Sequence, residues 1–259
     1  MSDDWIDEPA TPLLLPDLAG KTAIVTGASL GIGRATVDLL LQNGVRVFGL
    51  SHDHHQSDHE GLIALKCDLA REGDIEGAFQ EIGRQTDQVD FVVNVAGIDP
   101  KHFIAETTYA EWDRLFNINL RAYHFVIQGA LLLLRRGQGK SIVNVSSINY
   151  RLGIPGRAAY SASKAGILGL TTGLSRELGA ERIRVNTVTP GWIFTERQIA
   201  EYFQGEAGEK NLAYLAGRQS VKVKITAADI ANHILFYLSS VSRASTGHNC
   251  VVDGGWLLE

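Results

Sequence analysis

T-A-I-V-T-G-A-S-L-G-I-G, residues 22–33, decides the fold. Five residues of strand type, Thr22 to Thr26, run without a break into a glycine-rich turn, and an amphipathic helical pattern over Gly31 to Asn43 begins on its last glycines. A strand that feeds a helix N-terminus through glycines leaves unpaired N–H groups and a partial positive charge where an anion can sit. Gly27 permits the tight turn, and Gly31 and Gly33 permit close approach of backbone to a pyrophosphate. The spacing is T-G-x-x-x-G-x-G rather than G-x-G-x-x-G, and taken alone it divides evenly between a nucleotide site and a plain strand-to-helix turn.

The same alternation continues outward. Strand-length apolar runs recur as V-R-V-F-G-L, L-I-A-L-K-C, V-D-F-V-V-N-V, S-I-V-N-V, I-R-V-N-T-V and N-C-V-V-D, so that seven strands are expected. They are apolar through their length rather than alternating, as strands covered on both faces are. Between them lie amphipathic segments at Asp74 to Thr86, Tyr109 to Arg136, Ala158 to Ala180 and Ala227 to Ser239. Strand and helix in alternation imply an α/β fold with a doubly wound parallel sheet and helices on both faces. No repeat or linker divides the chain, which is expected to form a single domain from residue 18 to residue 259. Residues 1–17 carry Asp3, Asp4, Asp7, Glu8 and Asp17 without a lysine or arginine, the wrong charge for a secretory signal, and Leu13 to Leu15 is too short to span a bilayer. This segment is expected to be a cytoplasmic arm, mobile at its start and ending near Leu18. Trp5 leaves two readings, an anchor on a neighbouring subunit or part of a disordered tail.

Composition excludes several classes. At 259 residues with 45% hydrophobic and 20% charged side chains, the chain can bury a sizeable core. A net charge of -5 with no lysine or arginine block argues against a nucleic-acid partner, which demands clustered cations. Cys67 and Cys250 have neither disulfide-framework nor zinc-type spacing, so a reducing compartment is expected.

Y-S-A-S-K, Tyr160 to Lys164, lies inside a long helical segment, where a separation of four puts both side chains on one face. A solvated Tyr and Lys on an outer face is the alternative. That alternative weakens because S-I-V-N-V-S-S ends a strand at Ser147, at the carboxyl edge of the sheet where ligands of such folds sit. With T-G-A-S-L-G-I-G, N-V-A-G at Asn94 to Gly97, Asn119 in F-N-I-N-L, Ser147, Y-S-A-S-K, R-V-N-T-V-T-P-G at Arg184 to Gly191 and V-D-G-G near the end, the chain resembles the short-chain dehydrogenase/reductase family from about Leu18 onward. Val95 departs from the pattern, since many members carry a second asparagine there.

The resemblance implies a Rossmann-like domain, a nicotinamide cofactor and a catalytic set of Asn119, Ser147, Tyr160 and Lys164. Tyr160 would be the general acid/base, a phenol of reference pKa about 10 that needs a neighbouring cation to favour phenolate, and Lys164 would supply it. Ser147 would orient the reacting oxygen, and Asn119 would hold a water linking Lys164 to solvent. The implied cofactor contacts are Gly27, Ser29, Leu30, Gly31, Ile32 and Gly33 in the first loop, Ser51 after the second strand, and Asp68 and Leu69 after the third. Asn94, Ala96 and Gly97 follow the fourth strand, and Tyr160, Lys164, Pro190, Gly191, Ile193 and Thr195 complete the set. Family habit also implies a homotetramer.

A serine hydrolase is disfavoured because no G-x-S-x-G elbow is present, and no H-E-x-x-H suggests a metalloenzyme. The rival from another class is a cofactor-binding regulator that has lost its chemistry. S-H-D-H-H-Q-S-D-H-E, Ser51 to Glu60, holds four of the eight histidines, yet a polar run has no scaffold to fix a coordination shell, so a solvated loop and no metal are expected. Ser51 stands where an acid usually grips the adenosine ribose, and Asp53 comes two residues later. Neither Leu30 nor the Ser51 to Glu60 run supplies a cation for a 2′-phosphate, while Asp53 and Asp58 would repel one, so the expected cofactor is NAD, with NADP the alternative.

Substrate determinants are expected in the irregular stretch from Trp192 to about Lys224, helped by Asp99 to His102 and Asn149 to Arg151. Ser147, Asn149, Tyr160, Trp192, Arg197 and Gln198 are the expected substrate contacts, a set rich in donors, acceptors and aromatic faces. P-G-W-I-F-T-E-R-Q, R-Q-S-V-K, S-S-I-N-Y-R-L-G and V-D-G-G-W resemble the aldose 1-dehydrogenases of the family, which implies a free sugar oxidised at C1 to its lactone. Oxidation of a polyol or other secondary alcohol, or reduction of a 3-oxoacyl chain, is the alternative.

Overall fold

The structure is a computed structural model and describes residues 5–53 and 59–258. Seven strands, β1 (Thr22–Thr26), β2 (Arg46–Ser51), β3 (Leu62–Lys66), β4 (Phe91–Asn94), β5 (Ser141–Val145), β6 (Arg184–Pro190) and β7 (Asn249–Val252), form one sheet in the order β3-β2-β1-β4-β5-β6-β7. Every pair is parallel. The order reverses between β1 and β4, and the crevice above that point is where open α/β sheets take ligands.

Two apolar cores explain the continuous runs. Successive residues of a strand point to opposite faces. Ile24, Phe48, Val92 and Ile142 therefore enter the core shared with helices α2 (Glu72–Gln85), α4 (Ala122–Arg136) and α6 (Ala158–Glu177). Their neighbours Val25, Val47, Val93 and Val143 enter the core beneath α1 (Gly31–Gln42) and α9 (Ala227–Leu238). With both faces covered, neither set can be polar.

The segment expected as one helix over Tyr109 to Arg136 is interrupted. Helix α3 (Tyr109–Phe116), started by a Thr108–Glu111 capping box, passes into a π-helical turn at Asn117–Arg121 before α4. The wide turn carries Asn119, which is fully buried. Three further helices were not expected: α5 (Asn149–Leu152), α7 (Glu196–Tyr202) and α8 (Gly205–Ala216). The stretch after Trp192 is thus largely helical, with Thr195 capping α7 by accepting from the Gln198 N–H.

From Ile6 onward the arm is tied to the domain by specific bonds. Ile6 bridges Val223, with Ile6 N donating to Lys222 O at 2.9 Å and Lys224 N to Ile6 O at 3.1 Å, and Asp7 pairs with Lys224. Leu13 N donates to Asn232 Oδ1 on α9 at 2.9 Å, and Leu15 N to Asn43 Oδ1 at the end of α1 at 2.7 Å. Asp17 accepts from Ser240 N at 2.8 Å.

Candidate active site

The loop after β1 is built to admit a ligand backbone-close. Gly27 has φ +67, and a Cβ there would lie 2.9 Å from Ala96 Cα; a Cβ on Gly33 would lie 2.0 Å from the Gly27 carbonyl oxygen. Only glycine satisfies both contacts. Thr26 Oγ1 accepts from Val95 N (3.1 Å) and Ala96 N (3.3 Å), which ties the loop after β4 to the first. Leu30 precedes α1 without any side-chain cap, so the N–H groups of the first helical turn, over Gly31, Ile32 and Gly33, remain directed at the crevice. Leu30 itself is exposed. Across the crevice, the loop after β6 approaches: a Cβ on Gly31 would stand 3.4 Å from Thr195 Cγ2.

That crevice opens into a cavity of about 350 Å³. Of the expected cofactor residues, Ile32, Gly97, Tyr160, Lys164, Pro190, Gly191, Ile193 and Thr195 line it. The expected substrate residues Ser147, Asn149, Trp192, Arg197 and Gln198 line it too. Ser51, Asp68 and Leu69 lie along the same sheet edge toward β3, outside the cavity. The Ser51 hydroxyl donates to Asp53 O at 2.7 Å, and Asp68 Oδ1 accepts from Ala70 N at 3.0 Å.

The expected contacts Gly27, Ser29, Leu30, Gly31, Gly33 and Ala96 do not line the cavity either, and Asn94 and Asn119 are buried away from it. Asn94 is fully buried: its amide donates to Asn144 Oδ1 at 3.0 Å, and Asn144 donates on to Thr171 Oγ1 at 3.0 Å. Asn119 lies one layer behind, accepting from Ile98 N at 2.8 Å and donating to Ile98 O at 2.9 Å and to Ser163 Oγ at 3.2 Å. It still approaches Lys164 through Gly97, where a Cβ would be 3.3 Å from Lys164 Nζ and 3.4 Å from Asn119 Oδ1. The missing side chain leaves that corridor open.

Lys164 is held from below. Its Nζ donates to Val145 O at 3.1 Å and lies 5.6 Å from the Tyr123 ring centre and 5.8 Å from that of Tyr160. Tyr123, fully buried, donates its hydroxyl proton to Ala96 O and Val145 O, both at 3.1 Å. Burial lowers Lys164 to about 8, with Asp99 opposing. Burial likewise pushes the Tyr160 phenol up to about 12. Its hydrogen bond with Ser147 opposes that rise, Asp99 adds to it, and Arg157 and Arg197 draw it down. Arg157 and Arg197, which the sequence did not single out for this role, thus join Lys164 among the cations near the phenol.

Arg157 was missed. It is the residue before α6, it is buried, and with Tyr160 and Lys164 it follows the i, i+3, i+7 spacing of one helix face, a signal the sequence did contain. Tyr202, Tyr214 and Trp256 also line the cavity and were not expected there. Trp192 Nε1 donates to Gln198 Oε1 at 2.7 Å, and the Trp192 ring packs on Phe203 with centres 4.8 Å apart. These two expected contacts thus hold one another in place. Among the described residues no three His, Cys, Asp or Glu side chains gather as a metal site. His52 meets Asp53 at 3.2 Å and His59 Nδ1 accepts from Gly61 N at 3.1 Å; residues 54–58, with the other two histidines of that run and Asp58, lie outside the described residues. No described helix is long and apolar enough to cross a membrane.

A family described as Enoyl-(Acyl carrier protein) reductase matches residues 27–257. The D-xylose 1-dehydrogenase of Caulobacter vibrioides is 34% identical over 255 residues, 94% of this chain and 98% of that protein. A 3-oxoacyl-[acyl-carrier-protein] reductase of Chlamydia pneumoniae is 31% identical over 92% of this chain and 97% of its own length. Among solved structures, the ligand-free aldohexose dehydrogenase of Thermoplasma acidophilum superposes with a TM-score of 0.85 at 27% identity, covering 93% of this chain and 95% of that one. The uncapped helix, the glycine cradle and the switch-point crevice fit the dinucleotide that such proteins imply, and the chain belongs to the short-chain dehydrogenase/reductase family, as an oxidoreductase of small molecules with a nicotinamide cofactor.

Proposed function

We propose that the protein oxidises a free aldose at C1 to its lactone. The observation that carries this reading is the set of aromatic side chains, Trp192, Tyr202, Tyr214 and Trp256, that line the same cavity of about 350 Å³ as Ser147 and Tyr160. A sugar ring stacks on such faces while Asn149, Gln198 and the arginines meet its hydroxyls, each of which would cost about 1–3 kcal/mol if buried unpaired. A 3-oxoacyl chain on a carrier would call for a more apolar groove.

Ser147 binds and orients the O1 hydroxyl, and Tyr160 takes its proton as C1 is oxidised. Lys164, anchored on Val145 O, holds positive charge beside the phenol and passes the proton toward Asn119 through the space at Gly97. A bound nicotinamide would supply the hydride acceptor for the two electrons leaving C1. Residues 27–33 would hold its pyrophosphate; Ser51, Asp68 and Leu69 would hold the adenosine end. Asn94 supports the loop of Ala96 and Gly97 beside the nicotinamide, whose carboxamide would meet Ile193 and Thr195. The catalytic domain runs from residue 18, and the chain works as a homotetramer. Exposed Phe125 and Leu132 on α4 and Phe236 on α9 give two separate faces for pairing.

The test is a panel of pentoses, hexoses, deoxyhexoses, polyols and an acetoacetyl thioester, followed by cofactor absorbance with the lactone trapped by hydroxylamine. Sugars are expected to turn over. Activity on the thioester or the polyols alone would overturn the reading.

We further infer a preference for NAD. Leu30 brings no charge, Asp53 stands exposed beyond Ser51, and the Arg34 guanidinium is bound to Asp38 at 2.8 Å. A ribose 2′-phosphate would meet an acid and an arginine fork already committed to Asp38. The competing feature is Lys66, in register with Ser51 on the neighbouring strand. Steady-state kinetics with both cofactors is expected to give kcat/KM at least about tenfold higher with NAD, a difference on the scale of one charged contact. The reverse order would make Lys66 the phosphate ligand.

A further inference from the structure

The wall of the cavity is electrically unlike the rest of the molecule. The chain carries a net charge of -5, yet among the described residues lining the cavity there are four cations, Lys101, Arg157, Lys164 and Arg197, and one carboxylate, Asp99. Asp99 is shared. Its Oδ1 accepts from Arg197 Nη2 at 2.8 Å, while Arg157 Nη1 stands 3.5 Å from Oδ2. Glu201 is 4.0 Å from Arg197 Nε and half exposed, and it does not line this cavity.

Arg157 is therefore short of acceptors. Its side chain is 10% exposed, and Nη1 is buried without a hydrogen-bond partner. A buried guanidinium that shares one distant carboxylate is poorly compensated, and its planar fork matches a carboxylate better than any neutral hydroxyl. The residue lines both the reaction cavity and a second one beside it, where Lys101 and Arg197 also reappear.

We propose that Arg157, with Arg197 and Lys101, forms a subsite for a carboxylate carried by the substrate, so that the preferred aldose is a hexuronate rather than a neutral sugar. This rests on the C1-oxidation reading and narrows its substrate class. Arg157 is one helical turn from Tyr160, on the order of 5–6 Å between Cβ atoms, within the span from C1 to a carboxylate across a pyranose ring. The positive wall also favours entry of an anion into a negatively charged protein.

Two matched pairs isolate the carboxylate. D-Glucuronate differs from D-xylose, and D-galacturonate from L-arabinose, only by the carboxylate on C5. In at least one pair the uronate is expected to have kcat/KM about tenfold or more above its neutral partner, and the excess is expected to shrink about tenfold in Arg157→Met, in line with loss of a charge-assisted contact. Calorimetric titration of the Tyr160→Phe holoenzyme, which holds substrate without turnover, is expected to show the same order of affinities. Should Arg157→Met not fold, the wild-type ratios and this titration decide. Pentoses and hexoses turning over as fast as or faster than both uronates would overturn the carboxylate subsite and leave the aldose reading standing. Turnover of neither class would overturn both.

Discussion

Replacing Tyr160 with phenylalanine is expected to lower turnover by about 10²–10⁴-fold, the range for loss of a positioned general acid/base. The change removes one hydroxyl and little else. The ring that faces Lys164 at 5.8 Å remains, so the packing of α6 under the cavity is kept. Ser147 loses its bond to the phenol but still accepts from Asn149 N at 3.3 Å. Lys164 stays on Val145 O, because its anchor does not involve Tyr160. Dinucleotide affinity, measured by calorimetry, and the thermal midpoint are therefore expected to stay near wild type while kcat collapses. Retention of more than about a tenth of wild-type kcat would remove Tyr160 from the proton-transfer role.

The fold was legible because each strand is covered twice. Ile24 and Val25, or Val92 and Val93, go to different cores, and a strand obliged to fill both shows as an unbroken apolar run. The catalytic candidates were legible because their spacing is local: Tyr160 and Lys164 share a helix turn, and Ser147 ends the preceding strand. What lay hidden depends on distant partners. The arm reads as an acidic tail until Asn43 and Asn232, the latter 219 residues from its partner Leu13, are seen to hold its backbone. Helices α7 and α8 are broken by Gly205 and read as loop, although Thr195 and Gln198 already stood at capping-box spacing. The π-helical turn that buries Asn119 leaves no periodic signal, since one extra residue per turn is absorbed within a single apolar segment.

The balance of charge on Tyr160 was hidden for a further reason. Sequence spacing gives neighbours along a helix, and it named Lys164 as the cation in control. The third dimension adds Asp99 from the loop after β4 and Arg197 from α7, both far away in the chain, and burial then outweighs every charge. A phenol held up near 12 and a lysine brought down to about 8 describe a pocket whose electrostatics are set by exclusion of water as much as by the pair itself.

One chemical change, glycine to alanine, is expected to act with opposite sign at two helix positions. In an unobstructed helix interior alanine is favoured by about 1 kcal/mol, because glycine has more backbone freedom to lose. Gly77 is such a place: it is exposed within α2, and a Cβ there would meet nothing within 4 Å. Gly77→Ala is expected to raise the thermal midpoint by about 2–4 °C, the shift that 1 kcal/mol produces in a chain of this size. Gly33 is also helical, so the same gain applies locally, yet its Cβ would fall 2.0 Å from the Gly27 carbonyl oxygen and 2.7 Å from its carbon. Neither backbone can yield easily. Gly27 N is bonded to Leu50 O at 2.8 Å, and on its other side Gly27 already abuts Ala96. The collision outweighs the propensity gain and pushes the first loop off the start of α1, opening the crevice that should hold the pyrophosphate. Gly33→Ala is expected to weaken dinucleotide binding by about a hundredfold or more, equal to about 2.7 kcal/mol, with a fall in the thermal midpoint. Calorimetric titration with NAD and a melting curve on both variants check the pair. If Gly33→Ala binds the dinucleotide as tightly as Gly77→Ala does, the cradle is not where the pyrophosphate lies.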